Sequence, residues 1–300
     1  MIRIANAPCS WGVLEFELDG KAPDYVQVLD EMKDVGYVGS ELGDWGFMPT
    51  DPASLKGEIQ KRGFVIPGAF VPVLLKDGSK HQAGIDVAVK TAKLLRDSGN
   101  TSAFIVLADE NGSIPERTKN AGRVTPELGL STEEWKVFAD GANELARRVK
   151  AEAGLRTVFH HHCGGYVETP DEVAMLLQST DPDVLGLVLD MGHWLFGGGD
   201  PVKALRDHAR RIWHVHFKDC SKELAARSRS EQWDYFTSVR HGVFCELGKG
   251  AVDFPAVARE LKAQRYDGWI VVEQDVLPGM GRPKECARHN LEYIKTLGLS

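Results

Sequence analysis

Two patterns of apolar and polar positions alternate along the whole chain. Short, continuously apolar runs predict buried strands, and the stretches between them carry apolar residues three or four positions apart, as amphipathic helices do. The predicted strands cover residues 2–6, 38–42, 64–70, 102–107, 156–162, 186–190, 211–217 and 268–273. The predicted helices cover residues 23–35, 52–62, 81–98, 132–153, 170–177, 200–208, 254–264 and 282–297.

Eight strand–helix units with apolar strands predict an α/β fold of the closed (β/α)8 TIM-barrel type, because strands buried on both faces belong to parallel sheets covered by helices. We expect residues 1–300 to form this barrel as a single domain. An open doubly wound sheet is the alternative. No GxGxxG motif opens a helix after the first predicted strand, which disfavours it.

Residues 218–253 interrupt the regular spacing between the seventh strand and its helix. Loops of this length in compact domains are usually functional or contain a helix of their own. The segment includes Trp233, Tyr235 and Phe244 and is too apolar for a disordered linker. We therefore predict a helical insertion, with a helix at 229–240 that folds over the barrel mouth. Docking of this helix against another subunit of a homo-oligomer is the alternative.

Composition excludes several classes of protein. The 300 residues are 43% apolar and 26% charged, which is ordinary for a globular domain, and the net charge is −7 without a basic run. Duplex nucleic acid is therefore not expected as a partner. No apolar stretch approaches a membrane span and the first residues lack a signal-peptide layout, so we expect a cytoplasmic protein. Five scattered cysteines without a CxxC pair predict neither a disulfide scaffold nor a thiolate zinc site.

Four of the predicted strands end in groups that bind divalent metals. These groups are the histidines at 160–162, then Asp190, then His214 and His216, and finally Glu273. A parallel barrel gathers the carboxyl ends of its strands at one face, where barrel enzymes carry out their chemistry. The pattern therefore predicts a metal-dependent enzyme, and ligands without thiolates favour ions such as Mn²⁺, Co²⁺ or Mg²⁺.

Strand geometry decides only part of this ligand set. His160 and His162 point to one side of their strand and His161 to the other, and the period of two does not say which side faces inward. If the pair faces inward, it supplies one ligand and one acid or base, and His161 packs among the helices. His216 lies nearer the strand end than His214 and is the better ligand, with His214 supporting it.

Three further polar residues are candidates for catalysis because they also follow strand ends. Glu41 ends the second predicted strand, where a barrel holds catalytic groups. His193 lies three residues after Asp190. Lys218 lies two residues after His216 and is suited to hold a substrate oxygen or to transfer a proton.

Several motifs resemble one known superfamily. The sequences Leu-Asp-Met-Gly-His at 189–193 and His-Val-His-Phe-Lys-Asp at 214–219 are similar to those of the xylose-isomerase-like barrels, which include sugar isomerases, epimerases and endonucleases. Within this superfamily the triple histidine and segments 6–13, 36–43 and 242–254 resemble the inosose dehydratases, also called 2-keto-myo-inositol dehydratases. The resemblance runs over nearly the whole chain.

The resemblance implies a metal site of Glu, Asp, His and Glu from the fifth to the eighth strand. Asp190, His216 and Glu273 match this set, and His160 stands about where the first glutamate is expected. Epimerases of the superfamily use the two glutamates as a pair on opposite faces of the substrate. A lyase needs only one base and one acid, so the replacement favours elimination over epimerisation.

The resemblance also implies a reaction. We expect elimination of water from a cyclic keto-polyol such as 2-keto-myo-inositol, in inositol catabolism, with Mn²⁺ or Co²⁺ as the ion. The base would come from the histidines at 160–162 or from Glu41, and the acid from His162, His193 or Lys218. A ketose epimerase or isomerase, a 3-keto-glycoside lyase and a non-catalytic sugar-binding barrel are the alternatives.

Overall fold

The protein is built of a parallel sheet surrounded by helices. Its structure is a computed structural model that describes residues 2–13, 23–277 and 279–299. The strands are β1 Arg3–Asn6, β2 Gly68–Val73, β3 Phe104–Asp109, β4 Arg156–His160, β5 Leu185–Asp190, β6 Ile212–Phe217, β7 Asp219–Cys220, β8 Phe244–Cys245 and β9 Trp269–Val272. The helices are α1 Tyr25–Val35, α2 Pro52–Gln60, α3 His81–Asp97, α4 Pro115–Lys119, α5 Thr132–Ala153, α6 Pro170–Ser179, α7 Met191–Phe196, α8 Pro201–Asp207, α9 Lys222–Ser230, α10 Tyr235–Arg240, α11 Phe254–Ala263 and α12 Pro283–Thr296.

Seven strands form one parallel sheet in the order β1-β9-β6-β5-β4-β3-β2. Residues 38–42 fill the gap between β1 and β2 through parallel bridges that pair Ser40 with Asn6 and Gly39 with Val65. A Cβ at residue 39 would lie 2.6 Å from the Val65 carbonyl oxygen, so glycine permits this close approach. The second predicted strand is thus present only as bridges, and the predicted barrel is confirmed.

A bulge between β5 and β6 sets the register at the carboxyl ends of these strands. Leu187 pairs with Ile212, but the next residue, Val188, pairs with His214. The extra residue is Trp213, and because successive side chains alternate between faces, it shifts the rest of β6 by one position. As a result Asp190 lies directly opposite His216.

The segment between β6 and α11 differs from the prediction. A single helix at 229–240 is wrong: α9 ends at Ser230 and α10 begins at Tyr235. Asp234 caps α10 by accepting a hydrogen bond from the Thr237 amide, and such a cap begins a new helix. Gln232, between the helices, has a φ of 56°. The sequence pattern also missed α7, which follows β5 directly.

The two ends of this insertion are held together at the barrel mouth. β7 and β8 pair as antiparallel strands. Beyond β8 the Asp219 carboxylate accepts hydrogen bonds from the amides of Gly248 and Gly250, each at 2.9 Å, and of Val252 at 3.1 Å. A Cβ at residue 250 would overlap this carboxylate, so only glycine fits there. One buried carboxylate therefore closes the insertion onto the barrel.

Apolar side chains on the sheet and on the inner faces of the helices form the main core. Helix α5 illustrates how the sequence determines an element, because Ser131 and Glu134 make a capping box at its start and Gly154 ends it with a φ of 75°. Among the described residues, no helix combines the length and the apolar character that crossing a bilayer requires.

Candidate metal centre

Four side chains from the carboxyl ends of β4, β5, β6 and β9 meet at one point. His160, Asp190, His216 and Glu273 each offer a ligand atom, and these atoms all lie within 4.8 Å of one another. Asp190 Oδ2 lies 4.0 Å from both His160 Nε2 and His216 Nδ1, and His216 Nδ1 lies 3.1 Å from Glu273 Oε1. The barrel register thus brings together the four residues predicted as metal ligands.

This cluster fits a divalent metal on chemical grounds. Asp190 Oδ2 is buried and has no hydrogen-bond partner among the described residues, which is costly for a carboxylate oxygen unless a cation satisfies it. Burial lowers the pKa of His160 well below its ordinary value, so this imidazole is neutral, as a ligand must be. Two imidazole nitrogens and two carboxylates suit Mn²⁺, Co²⁺ or Zn²⁺.

The carboxylates of the cluster differ in their surroundings. Burial raises the pKa of Asp190 to about 7, with Lys218 opposing and Glu273 adding to the shift. Burial also acts to raise the pKa of Glu273, but the charges of His216 and Lys218 outweigh it and hold this pKa well below its ordinary value. Asp190 is therefore the carboxylate that gains most from a bound cation.

Glu41 lies behind the cluster rather than in it. Its Oε1 accepts hydrogen bonds from His214 Nε2 at 3.0 Å and from His216 Nε2 at 3.2 Å. Burial would raise its pKa, but His216 and His214 together lower it to about 2. A carboxylate on Nε2 leaves Nδ1 of His216 to face the ligand cluster, which is the usual arrangement behind a metal-bound histidine.

His162 points into the same cleft as His160. Its Nδ1 lies 2.9 Å from the Cys163 carbonyl oxygen and therefore donates the hydrogen, which leaves Nε2 as an acceptor 3.4 Å from the Tyr235 hydroxyl. Burial lowers the pKa of His162 to about 3, so the imidazole is neutral. The ring is therefore unprotonated at Nε2, and a pKa this low makes it a weak base until negative charge in the cleft raises the pKa.

His161 and His193 are not among the residues that line the cleft. His161 Nε2 accepts a hydrogen bond from the Asp190 amide at 3.2 Å, and its ring packs edge-on against Trp194. The structure thus decides the parity that the sequence left open. His193 is fully buried behind His162, with 4.0 Å between ring centroids, and its Nδ1 accepts from the Cys163 amide at 3.3 Å.

Lys218 lies between two carboxylates at the edge of the cluster. Its Nζ is 3.2 Å from Glu273 Oε2 and 3.2 Å from Asp275 Oδ2, with His193 Nε2 at 3.4 Å. The sequence reasoning missed Asp275. A signal was available, because Asp275 follows Glu273 by two positions and an extended chain turns both side chains to the same side.

A cleft opens over the cluster at the barrel mouth. Loops after several strands line it, and the residues that matter for its chemistry are Glu41, Asp44, His162, Lys218, Tyr235 and Asp275. Tyr235 comes from α10 in the insertion and is 2% exposed. A Cβ at residue 164 would lie 3.1 Å from the Tyr235 ring, so the glycine at this position allows α10 to pack closely over the cleft.

Comparison with known proteins identifies the family of the chain. The family model described as "Xylose isomerase-like TIM barrel" matches residues 29–297. The chain belongs to this family. Among curated relatives, an inosose dehydratase of Geobacillus kaustophilus is 33% identical over 98% of this chain and 94% of that protein. An inosose dehydratase of Salmonella typhimurium is 32% identical over 99% of this chain and 96% of that protein.

Solved structures share the fold at low identity. A probable 3-DHS dehydratase, AsbF from Bacillus anthracis, superimposes with a TM-score of 0.71 at 14% identity, covering 98% of this chain and 99% of that chain. The IOLI protein with a binding zinc atom superimposes with a TM-score of 0.73 at 15% identity, covering 99% and 98%. These similarities show that the chain shares the fold of these structures.

Proposed function

We propose that this barrel is a metal-dependent hydro-lyase that removes water from a cyclic keto-polyol, with 2-keto-myo-inositol in inositol catabolism as the first candidate. The observation that carries the proposal is the pairing, in one cleft, of a metal-ligand cluster with the neutral imidazole of His162. Curated relatives that match nearly the full chain are named inosose dehydratase, which supports the same reaction.

His160, Asp190, His216 and Glu273 would hold the ion, which we propose to be Mn²⁺ or Co²⁺. When bound, such an ion would supply Lewis acidity that polarises a ketone carbonyl. His160 distinguishes this cluster from a site with two opposed glutamates. One base and one acid suffice for elimination, and the residues around the cluster provide them.

The remaining steps belong to the chain's own side chains. His162 Nε2 takes the proton from the carbon beside the ketone, because Nδ1 carries the hydrogen of the neutral ring and the residue lines the cleft. The carbon–oxygen bond to the leaving hydroxyl then breaks, and Lys218 Nζ donates the proton that releases this oxygen as water. Glu41 orients His216, and His193 supports the ring of His162 from behind.

The insertion 218–253 forms part of the substrate cleft in this proposal, within a single barrel domain that spans 1–300. Tyr235 of α10 lines the cleft together with His162, which supports the covering role over a docking role for this segment. The substrate is then a small keto-polyol or sugar that enters beneath α10.

The test is a reaction of Mn²⁺-loaded protein with 2-keto-myo-inositol in D₂O, followed by the ultraviolet absorbance of a conjugated dione and by mass spectrometry. We expect a product lighter by one water, and no turnover by an Asp190→Ala variant that has lost its metal but stays folded. An isomer that carries solvent deuterium and all of its oxygens would refute the dehydratase and identify an epimerase.

A further inference from the structure

We propose that Asp275 determines substrate specificity: it neutralises Lys218, so that the cleft accepts uncharged rings and rejects anionic ones. The inference deepens the proposed function, because it concerns the class of substrate that the same cleft admits. It does not depend on which reaction follows, since it is a statement about binding.

Asp275 is built into the cleft as a partner of Lys218. Its carboxylate lines the cleft while the residue is only 6% exposed, and its two oxygens lie 3.2 and 3.5 Å from Lys218 Nζ. Lys218 itself is 2% exposed. Two charged groups withdrawn from water at this distance interact strongly, so a ligand would have to compete with Asp275 for Lys218. Glu273 Oε2 lies equally close to Lys218 Nζ, and Asp275 is the one of these two carboxylates that is not also a candidate metal ligand.

The charges around the cleft leave no cation for an anionic ligand. Among the described residues, Lys218 is the one Lys or Arg residue that lines the cleft. The carboxylates that line it are Glu41, Asp44, Glu273 and Asp275. A divalent ion held by Asp190 and Glu273 would have both its charges balanced by them. With Lys218 balanced by Asp275, the remaining carboxylates make the cleft negative.

This balance favours a polyol over a carboxylated or phosphorylated ring. Hydroxyl groups can donate to carboxylates such as Asp275 and accept from Lys218, so a neutral polyol uses both partners. An anionic group would meet uncompensated negative charge in a site of low dielectric constant, where the repulsion is weakly screened. Asp275 thus acts by excluding the wrong ligand as well as by binding the right one.

The experiment measures binding rather than turnover. Isothermal calorimetry on the Mn²⁺-loaded protein would compare myo-inositol with quinate, a carboxylated ring of similar size; neither probe carries a ketone. We expect wild-type protein to bind myo-inositol more tightly than quinate. In Asp275→Asn the affinity for quinate relative to myo-inositol should rise by about tenfold or more, the scale of one unit charge at about 6 Å and a dielectric constant near 40.

Asp44→Asn is the matched control, because it removes a negative charge from the same cleft. Among the ion pairs of the described residues, those of Lys218 are with Glu273 and Asp275 and not with Asp44. The ratio of affinities in Asp44→Asn should rise less than that in Asp275→Asn, because Lys218 keeps its partner when Asp44 is replaced. Should Asp275→Asn prove unfolded by circular dichroism, Asp275→Ser serves in its place.

Quinate binding to wild-type protein as tightly as myo-inositol, or an unchanged ratio in a folded Asp275 variant, overturns the inference. Failure of wild-type protein to dehydrate 2-keto-myo-inositol would instead refute the proposed reaction and leave this binding result standing. The two outcomes are therefore separate.

Discussion

Replacing Glu41 with glutamine should weaken metal binding without a change in the ligands themselves. The carboxylate is 4% exposed and accepts hydrogen bonds from His214 and His216 at 3.0 and 3.2 Å. Its pKa is held near 2 against the effect of burial, so it is ionised at any working pH. Glu41→Gln keeps the shape of the side chain and removes the charge.

The magnitude follows from the bond to His216. A hydrogen bond to a charged group contributes about 1.5–3 kcal/mol and a neutral one about 0.5–1.5 kcal/mol, so the substitution costs roughly 1–1.5 kcal/mol at this ligand. That corresponds to about tenfold weaker binding, the lower end of the range of about 10–100-fold for residues that orient metal ligands. The loss should appear as more complete transfer of the ion to a competing chelator at equilibrium.

Competition with a chromophoric chelator measures Mn²⁺ or Co²⁺ affinity directly. Glu31→Gln is a matched control, because Glu31 also accepts a hydrogen bond from a ring nitrogen, that of Trp11 at 2.7 Å, outside the ligand cluster. Gly68→Ala is a second perturbation, since its Cβ would lie 2.7 Å from Glu41 Oε1 and must displace the carboxylate. Metal affinity of Glu41→Gln within threefold of wild type would refute the reasoning.

Three further predictions concern other parts of the molecule. Tyr235→Phe removes the hydroxyl near His162 but keeps the ring, so steady-state kinetics should give a kcat lower by up to about tenfold with little change in KM. Burial raises the pKa of Glu168 from 4.5 to about 7, so its contribution to stability is lost as pH rises from about 4.5 to 7. Glu168→Gln should therefore flatten the dependence of Tm on pH between about 5 and 7. Arg117→Met leaves Glu172 without its buried partner and should cost about 3–5 kcal/mol in chemical denaturation, and less when combined with Glu172→Gln.

The sequence predicted the barrel and the ligand cluster because both depend on short-range periodicity. Apolar strands with a polar residue at the carboxyl end can be recognised in the sequence. In a parallel barrel all of these ends lie at the same face. His160, Asp190, His216 and Glu273 were identified in this way and do converge. Their roles as ligands remain a prediction that metal analysis can test.

The remaining features depend on contacts that no local pattern encodes. The side of β4 that faces the cleft is set by pairing with β5, so His160 and His162 could not be separated from His161 in advance. The bulge at Trp213 changes the parity of β6 relative to β5 and is visible only in the register. The predicted helix at 229–240 is wrong because Asp234 caps a new helix and Gln232, just before it, has a φ of 56°.

The hydrogen bonds of Asp219 allow the barrel to keep its geometry whatever the length of its insertion. Since β7 and β8 are hydrogen-bonded neighbours and Asp219 holds the returning chain at Gly248 and Gly250, the insertion leaves and re-enters the barrel at nearly one point. The residues between can lengthen, shorten or be exchanged without altering the spacing of β6 and β9. A new substrate could therefore be acquired by exchanging only the part of the insertion that covers the cleft, while the candidate metal ligands on the strands keep their positions.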